Sequence, residues 1–150
     1  MPEIPDALLA HIKHYEGFCA VPYICPAGYP TVGYGHRIPS LDHPNVTEEE
    51  ATALLLADVG EAQRKALLIV PGLTGLRLAA LTDLIYNVGS GPALRNSGTV
   101  QALRDEDWPT AADKFRRWDK ARDPHTGELR PLPGLTARRE VGAQWIESDE

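Results

Sequence analysis

The sequence of 150 residues lacks any long apolar run, and it contains few cysteines. A helix that spans a bilayer needs roughly 20 consecutive apolar residues, and no segment approaches that length, so we expect no stable membrane insertion. Two cysteines, Cys19 and Cys25, are too few for a disulfide framework. Hydrophobic residues make up 43% of the chain and charged residues 24%, values typical of globular proteins. These features predict one ordinary globular domain.

Basic residues are scarce relative to acidic ones, at 15 against 21, which gives a formal net charge of −6. Nucleic-acid-binding domains usually present a basic face, so this balance argues against a nucleic-acid partner. One segment departs from the average, because residues 113–139 contain eight basic and four acidic side chains. A local basic surface of this kind fits an anionic polymer, and it fits an ordinary solvated helix face equally well.

The N-terminus lacks the features of a secretory signal. Glu3 and Asp6 stand where a signal peptide carries basic residues, and no apolar segment followed by small residues comes next. We therefore expect no signal peptide and no signal-anchor. In a cytosol, both cysteines are expected to be thiols.

The first predicted helix runs from about Asp6 to Tyr15. Leu8 and Ile12 recur at helical spacing within it, and Gly17 stands where a C-terminal cap belongs. Glu16 is then expected at the end of this helix. Because it follows an apolar helix face, we expect its side chain to be partly desolvated.

A second, longer helix is predicted to begin after Thr47 and to end near Leu68. Thr47 and Glu50 have the capping-box spacing, in which the hydroxyl and the carboxylate each accept a bond from an otherwise unpaired backbone N–H. Pro71 and Gly72 end the helical pattern. Further helices are predicted over Gly75–Val88, Thr99–Arg104, Pro109–Trp118 and Leu135–Ile146.

The segment Phe18–Ile38 mixes Pro and Gly with Val, Ile, Tyr and Thr, which predicts short strands in a small sheet. The polar segment Asp119–Pro133 is predicted to be a loop. The expected fold class is α+β. A small sheet lobe over about residues 16–46 and a larger helical lobe over about 69–150 are joined by a long helix over about 48–68. A cleft between two such lobes is an expected place for an extended ligand.

Three side chains that can perform chemistry stand near the first helix. Cys25 follows Glu16 by nine positions, and Thr31 follows Cys25 by six. This pattern resembles the phage T4-type lysozyme family, in which Glu, then Asp or Cys, then Thr form the catalytic set at these intervals. The resemblance extends over most of the chain, through Ala80–Asp83, Tyr86–Gly91, Ala111–Trp118 and Pro133–Glu140.

The resemblance implies the lysozyme fold and the activity of an endolysin. The implied reaction is hydrolysis of the β-1,4 bond between N-acetylmuramic acid and N-acetylglucosamine in peptidoglycan, which leads to lysis of the host cell. Breaking a glycosidic bond requires an acid that protonates the leaving oxygen, and the resemblance gives this role to Glu16. It gives Thr31 the task of positioning the attacking water through its hydroxyl.

Cys25 stands where the family often has Asp. A thiol or thiolate in this position is compatible with three roles: holding a water, stabilising an oxocarbenium-like transition state, or attacking the sugar directly. The sequence leaves the choice open. It also leaves open a disulfide between Cys19 and Cys25, which would silence the enzyme in an oxidising compartment.

Four residues are expected to bind substrate or to support the site. Tyr34 and His36 follow Thr31 closely, and the favoured role for His36 is a structural hydrogen bond, while Tyr34 has simple packing as an alternative. Arg138 or Arg139 is expected to hold the carboxylate of the catalytic acid.

Two other functions remain open. A lytic transglycosylase needs one acid and no water-activating partner, because the substrate's own 6-hydroxyl attacks. A non-catalytic glycan-binding or virion protein would use the same fold, although the presence of Glu16, Cys25 and Thr31 argues against it. We expect no cofactor and no metal, because the His and Cys spacings match no zinc pattern. The expected state is a monomer that is made in the host cytoplasm and acts on peptidoglycan strands after its release.

Overall fold

The structure is a computed structural model that describes residues 2–123 and 125–148. Along the chain, helices flank a small N-terminal sheet and then follow one another, which confirms the predicted α+β class. The helices are α1 (Asp6–Glu16), α2 (Glu48–Ile69), α3 (Gly75–Val88), α4 (Pro92–Arg95), α5 (Gly98–Arg104), α6 (Trp108–Arg116) and α7 (Pro133–Ser148). The strands are β1 (Cys19–Ile24), β2 (Pro30–Gly33), β3 (His36–Arg37), β4 (Lys120–Arg122) and β5 (Leu129–Pro131).

The chain divides into two compact units. We call Glu3–Glu61 the sheet unit and the described residues from Ala62 onward the helical unit. The division falls inside α2, so the first helix and the start of the long helix belong with the sheet.

Helix α1 forms because its apolar residues lie on one face. Leu8 and Ile12 are fully buried in the sheet unit. The helix ends at Glu16, where Gly17 adopts a φ of 73° and donates its N–H to the Lys13 carbonyl at 3.0 Å. A positive φ is cheap for glycine, so this residue stops the helix as predicted.

The first three strands form an antiparallel sheet in the order β1-β2-β3. A bulge interrupts β1 between Cys19 and Tyr23, and the Val46 amide donates to the Ala20 carbonyl at 2.9 Å beside it. Gly33 is needed in β2 because its φ is 68° and an added Cβ would lie 3.0 Å from the Ala51 side chain. The sheet therefore packs closely on the start of α2.

The predicted capping box opens α2. The Thr47 amide donates to Glu50 Oε1 at 3.0 Å, and the Glu50 amide donates to Thr47 Oγ1 at 3.1 Å. Both bonds satisfy backbone N–H groups that have no partner within the helix. The helix ends at Ile69, before the Pro71-Gly72 pair, as expected.

The helical unit has a continuous apolar core. Side chains from α3, α5, α6 and α7 meet there, and Leu81, Phe115 and Ile146 are fully buried. Gly142 of α7 lies directly against the Phe115 ring, since an added Cβ would be 2.5 Å from it. This glycine allows α6 and α7 to approach closely. Among the described residues, no helix is both long and apolar enough to cross a membrane.

Two elements of the helical unit differ from the predictions. The predicted loop over Asp119–Pro133 contains the antiparallel hairpin of β4 and β5, so the loop assignment was wrong. Each strand has three residues, and the side chains of β5 are exposed, so no alternating pattern marks the hairpin in the sequence. The short helix α4 was also missed, because its four residues are too few to show helical periodicity.

Candidate active site

Glu16 is the last residue of α1, and its side chain is half-buried. The left-handed Gly17 turns the chain sharply after it. The carboxylate therefore projects from the end of a helix that is anchored in the core of the sheet unit. The partial burial of the side chain is as expected, and the role of Glu16 as the catalytic acid stays a prediction.

The β1-β2 hairpin carries the other two candidate residues. Tyr23 of β1 pairs with Thr31 of β2, so their side chains stand on the same face of the sheet. Cys25 comes two residues after Tyr23, just beyond the end of β1, and alternation along the chain directs it to that face as well. The hairpin thus brings Cys25 and Thr31 together although they are six positions apart in the sequence.

Cys25 begins a tight turn. Its amide donates to the Tyr29 carbonyl at 2.9 Å, and the Gly28 amide donates to the Cys25 carbonyl at 2.8 Å. The pKa of the Cys25 thiol is lowered, first by a backbone hydrogen bond with Tyr29 and then by the Thr31 hydroxyl, with further backbone bonds from Ala27 and Gly28. Partial desolvation acts in the opposite direction. The turn therefore favours the thiolate.

Thr31 is 2% exposed, so its hydroxyl is held in place by its surroundings. It donates to the Tyr29 carbonyl at 2.9 Å. A hydroxyl has one proton and two acceptor lone pairs. That proton bonds either the Tyr29 carbonyl or the Cys25 sulfur, and in both cases Thr31 Oγ1 keeps lone pairs that can accept a hydrogen bond from water.

Tyr23 is a candidate site residue that the sequence analysis missed, because it pairs with Thr31. The pKa of its phenol is raised, first by burial and then by the negative charges of Cys19, Glu16 and Cys25. The charges of Glu16 and Cys25 thus act on the same phenol. The register of β1 against β2 was the missing information, since it places Tyr23 opposite Thr31.

The structure contradicts the disulfide between Cys19 and Cys25, because both cysteines are free thiols. Cys19 donates to the Val21 carbonyl at 3.2 Å. Six positions of mostly extended chain span roughly 20 Å, whereas the Cα atoms of a disulfide lie about 4.4 to 6.8 Å apart. The hypothesis that this disulfide silences the enzyme in an oxidising compartment fails for the same reason.

Tyr34 is buried and links three elements of the sheet unit. Its hydroxyl donates to Glu48 Oε2 at 2.7 Å, while the Lys13 ammonium lies 5.2 Å from the ring centroid and 3.3 Å from the same carboxylate. The pKa of Glu48 is lowered, chiefly by the Tyr34 hydrogen bond and then by those of Thr52 and Lys13. Tyr34 therefore has a bonding role in addition to packing.

His36 forms a structural contact, as the sequence analysis favoured. Its Nδ1 lies 2.7 Å from Asp58 Oδ2, and both side chains are about one-third exposed or less. Asp58 interrupts the apolar spacing of α2, and this pair explains the interruption. The pair ties strand β3 to α2.

Arg138 and Arg139 are buried on α7 in the helical unit. Arg138 donates to Asp83 through Nη2 at 2.7 Å and through Nε at 3.2 Å, and Arg139 donates to the Trp118 carbonyl at 2.7 Å and to Asn87. Burial lowers the pKa of Arg139 to about 10, while Asp83 acts to raise it. The expectation that either arginine holds the Glu16 carboxylate stays a prediction.

Within residues 2–123 and 125–148, no three His, Cys, Asp or Glu side chains are arranged to hold a metal ion.

A small antiparallel sheet, a glutamate at the end of the first helix and a larger set of helices define a lysozyme-like α+β protein. Residues 13–141 match the family described as Phage lysozyme. The chain belongs to the phage lysozyme family.

Curated relatives and solved structures support this assignment. An endolysin of Acyrthosiphon pisum secondary endosymbiont phage 1 is 36% identical over 148 residues, which cover 97% of this chain and 98% of that protein. A SAR-endolysin of Escherichia phage Mu is 32% identical over 85% of this chain and 71% of its own length.

Among solved structures, the muramidase domain of SpmX from Asticaccaulis excentricus is similar with a TM-score of 0.86 and 26% identity, covering 97% of this chain and 98% of that one. The endolysin of Escherichia coli O157:H7 phage FAHEc1 is similar with a TM-score of 0.84 and 26% identity, covering 99% of this chain and 96% of that one.

Proposed function

We propose that this chain is a phage endolysin that hydrolyses the β-1,4 bond between N-acetylmuramic acid and N-acetylglucosamine in bacterial peptidoglycan. Membership of the phage lysozyme family and the endolysin relatives support the substrate class. The observation that carries the reaction type is the hydrogen bond of Thr31 to Tyr29, considered with the lowered pKa of Cys25.

In the proposed reaction, Glu16 gives its proton to the glycosidic oxygen as the bond breaks. The leaving sugar departs as an alcohol, and positive charge develops on the anomeric carbon and ring oxygen of the muramic acid. Glu16 ends the step as a carboxylate. Its place at the end of a core-anchored helix supports this role, because a general acid must be held in a fixed position.

A water molecule then completes the reaction. Thr31 Oγ1 and the Cys25 thiolate are both hydrogen-bond acceptors, so a water between them donates both of its protons to the protein. Its lone pairs are left to attack the anomeric carbon. The thiolate takes one proton as the C–O bond forms, and attack from the face opposite the leaving group inverts the anomeric centre.

The test is lysis of outer-membrane-permeabilised cells followed by mass spectrometry of the released fragments. Hydrolysis predicts muramic acid with a reducing end, heavier by one water than the anhydro sugar that a lytic transglycosylase leaves. Anhydro products would overturn the hydrolase in favour of the transglycosylase. Glycan binding without cleavage would instead indicate a non-catalytic wall-binding protein.

Thr31→Val keeps the shape of the side chain and removes the acceptor oxygen. We expect slower lysis, with a smaller loss than for removal of the acid, because water retains the Cys25 acceptor. Turbidity clearance measures the rate, and Thr110→Val, at a half-buried threonine of α6, is the matched control. Equal loss in the two variants would contradict a local role for Thr31.

A further inference from the structure

A cavity in the helical unit is lined by residues that the proposed reaction does not use. It has a volume of about 350 Å³ and is bounded by the last turns of α2, the residue pair after α3, and the ends of α4 and α5. We call it the Arg95 cavity. One water molecule occupies about 30 Å³ in the liquid, so the cavity accommodates a small ligand and not merely a single ion. Its lining consists of Lys65, Leu68, Ile69, Ser90, Arg95 and Arg104.

The Arg95 cavity is positively charged in a chain whose formal net charge is −6. Lys65, Arg95 and Arg104 supply three positive charges, and no acidic residue is among the described residues of the lining. Within residues 2–123 and 125–148, none of these three side chains forms an ion pair with a carboxylate. A concave surface with this excess of one sign concentrates ligands of the opposite sign.

The helix ends around the cavity offset part of this charge. Helices α2, α4 and α5 end at Ile69, Arg95 and Arg104, and the C-terminus of a helix carries about half a negative charge. Three such ends offset at most about 1.5 of the three positive charges. A net positive charge therefore remains, and an anionic ligand would relieve the repulsion among the three cations.

Arg104 is oriented before any ligand arrives. Its Nε donates to the Ile69 carbonyl at 2.9 Å, and the two Nη groups of the guanidinium remain as donors toward a ligand. A guanidinium held in this way loses less freedom when it binds an anion, and its planar fork matches two oxygens of a phosphate. Lys65 adds a compact ammonium group, which binds phosphate as a point charge.

The composition of the lining favours a phosphate over a carboxylate. A phosphate monoester carries a charge of about −1.5 to −2 and three acceptor oxygens, whereas a carboxylate carries one charge and two oxygens. Three cations therefore match the phosphate better. The Ser90 hydroxyl donates and accepts, which suits a hydroxyl group of the ligand. Leu68, which is 68% exposed, and Ile69 provide an apolar wall for its carbon atoms.

We propose that the Arg95 cavity binds a phosphorylated polyol, of which glycerol 3-phosphate is the smallest example. Arg104 and Lys65 bind the phosphate oxygens, Arg95 neutralises the remaining charge, and Ser90 binds a polyol hydroxyl. The same glycerol phosphate monoester occurs as a free compound and as the headgroup of phosphatidic acid. This binding does not depend on whether the chain cleaves glycan.

The test is calorimetric titration of the full chain with glycerol 3-phosphate. We expect one binding site, with affinity at least tenfold weaker in Lys65→Gln, Arg95→Gln and Arg104→Gln. The control Arg117→Gln removes an exposed arginine that pairs with Asp113, and it should bind as wild type. Lys65→Gln and Arg95→Gln guard against misfolding, because Arg104 also holds the Ile69 carbonyl. Absence of binding, or equal loss in Arg117→Gln, would overturn the proposal.

Two further titrations test the chemical class of the ligand. Succinate carries two negative charges on carboxylates, and glycerol has the hydroxyls without the phosphate. Both should bind at least tenfold more weakly than glycerol 3-phosphate. Equal affinity for succinate would overturn a phosphate site in favour of a site that selects charge alone.

Sedimentation with vesicles distinguishes the two sources of the phosphate. The vesicles contain equal amounts of phosphatidylcholine and phosphatidic acid, and vesicles of phosphatidylcholine alone are the control. Binding to the first kind that is lost in Arg95→Gln would support the site and identify the lipid headgroup as its ligand. Binding of glycerol 3-phosphate without binding of vesicles would support the site with a free phosphorylated polyol as its ligand.

Discussion

The sheet unit and the helical unit use their charged groups differently. In the sheet unit, Glu16, Cys25 and His36 are all partly exposed, and backbone turns or single partners hold them. In the helical unit, Asp83 and Arg138 are at most 4% exposed and form a bidentate ion pair. Partly exposed groups can exchange protons with a substrate, whereas a fully buried pair must stay charged and bonded. Substitutions of Glu16 or Cys25 should therefore reduce activity, and substitution of the buried pair of Asp83 and Arg138 should reduce stability.

The largest effect is expected from Glu16→Gln. The amide keeps the shape of the side chain and cannot deliver a proton, so lysis should fall by roughly 10²–10⁴-fold. The urea unfolding midpoint should stay close to that of wild type. Glu3→Gln, at an exposed acid of the same unit, is the control and should lyse cells normally. Substantial residual activity in the Glu16 variant would remove it from the role of acid.

Asp83→Asn should reverse this pattern in the helical unit. Loss of the carboxylate leaves the buried charges of Arg138 and Arg139 without their counter-charge, which should cost about 3–5 kcal/mol of unfolding free energy. Urea denaturation measures it. Asp113→Asn is the matched control, because Asp113 and Arg117 are 66% and 67% exposed and an exposed pair contributes little. Similar small losses of unfolding free energy in the two variants would show that the buried pair does not stabilise the fold more than the exposed pair.

Cys25→Asp should change the dependence of activity on pH. Cys25 has a lowered thiol pKa, so in wild type the thiolate is lost, and activity falls, as pH drops through that value. An ordinary carboxyl has a pKa of about 3.9 against about 8.5 for a thiol, so the variant should keep its charge and its activity to lower pH. Rates of lysis across a pH series measure this. Cys19→Ser should leave the pH profile unchanged. If Cys25→Asp loses activity at the same low pH as wild type, the reaction does not use the charge of Cys25.

Tyr34→Phe should have the smallest effect, a fall of a few degrees in melting temperature. The pKa of Glu48 is lowered in the folded state, so its bonds stabilise the fold above the unfolded pKa of the carboxyl, and this stabilisation is lost as pH falls through the folded value. The difference between Tyr34→Phe and wild type should therefore shrink in acid. Tyr29→Phe, at an exposed tyrosine, is the comparison. A difference that stays constant with pH would indicate lost packing instead of the hydrogen bond.

Features encoded over a few neighbouring residues could be predicted from the sequence. Helix α1 with its Gly17 stop, the capping box of Thr47 and Glu50, and the bounds of α3 all depend on local spacing. The hairpin of β4 and β5 could not be predicted, because strands of three residues are too short to show a clear alternation and tertiary pairing decides them. For the candidate site, Glu16, Cys25 and Thr31 were identified because their spacing resembles that of the phage lysozyme family.

Contacts between distant positions were harder to predict. The pairing of His36 with Asp58 spans 22 positions, and the only local sign was one charged residue in an apolar helix pattern. The position of Tyr23 opposite Thr31 depends on the register of β1 against β2, and a one-residue slip would turn its side chain to the other face of the sheet.

The most direct test of the account is the anomeric configuration of the first product. Proton nuclear magnetic resonance, recorded immediately after cleavage of a short glycan strand and before mutarotation, distinguishes the two anomers. A water held by the acceptors Thr31 and Cys25 predicts inversion, so the new reducing end should appear first as the α-anomer. Appearance of the β-anomer first would mean retention through a covalent intermediate, and would contradict the account.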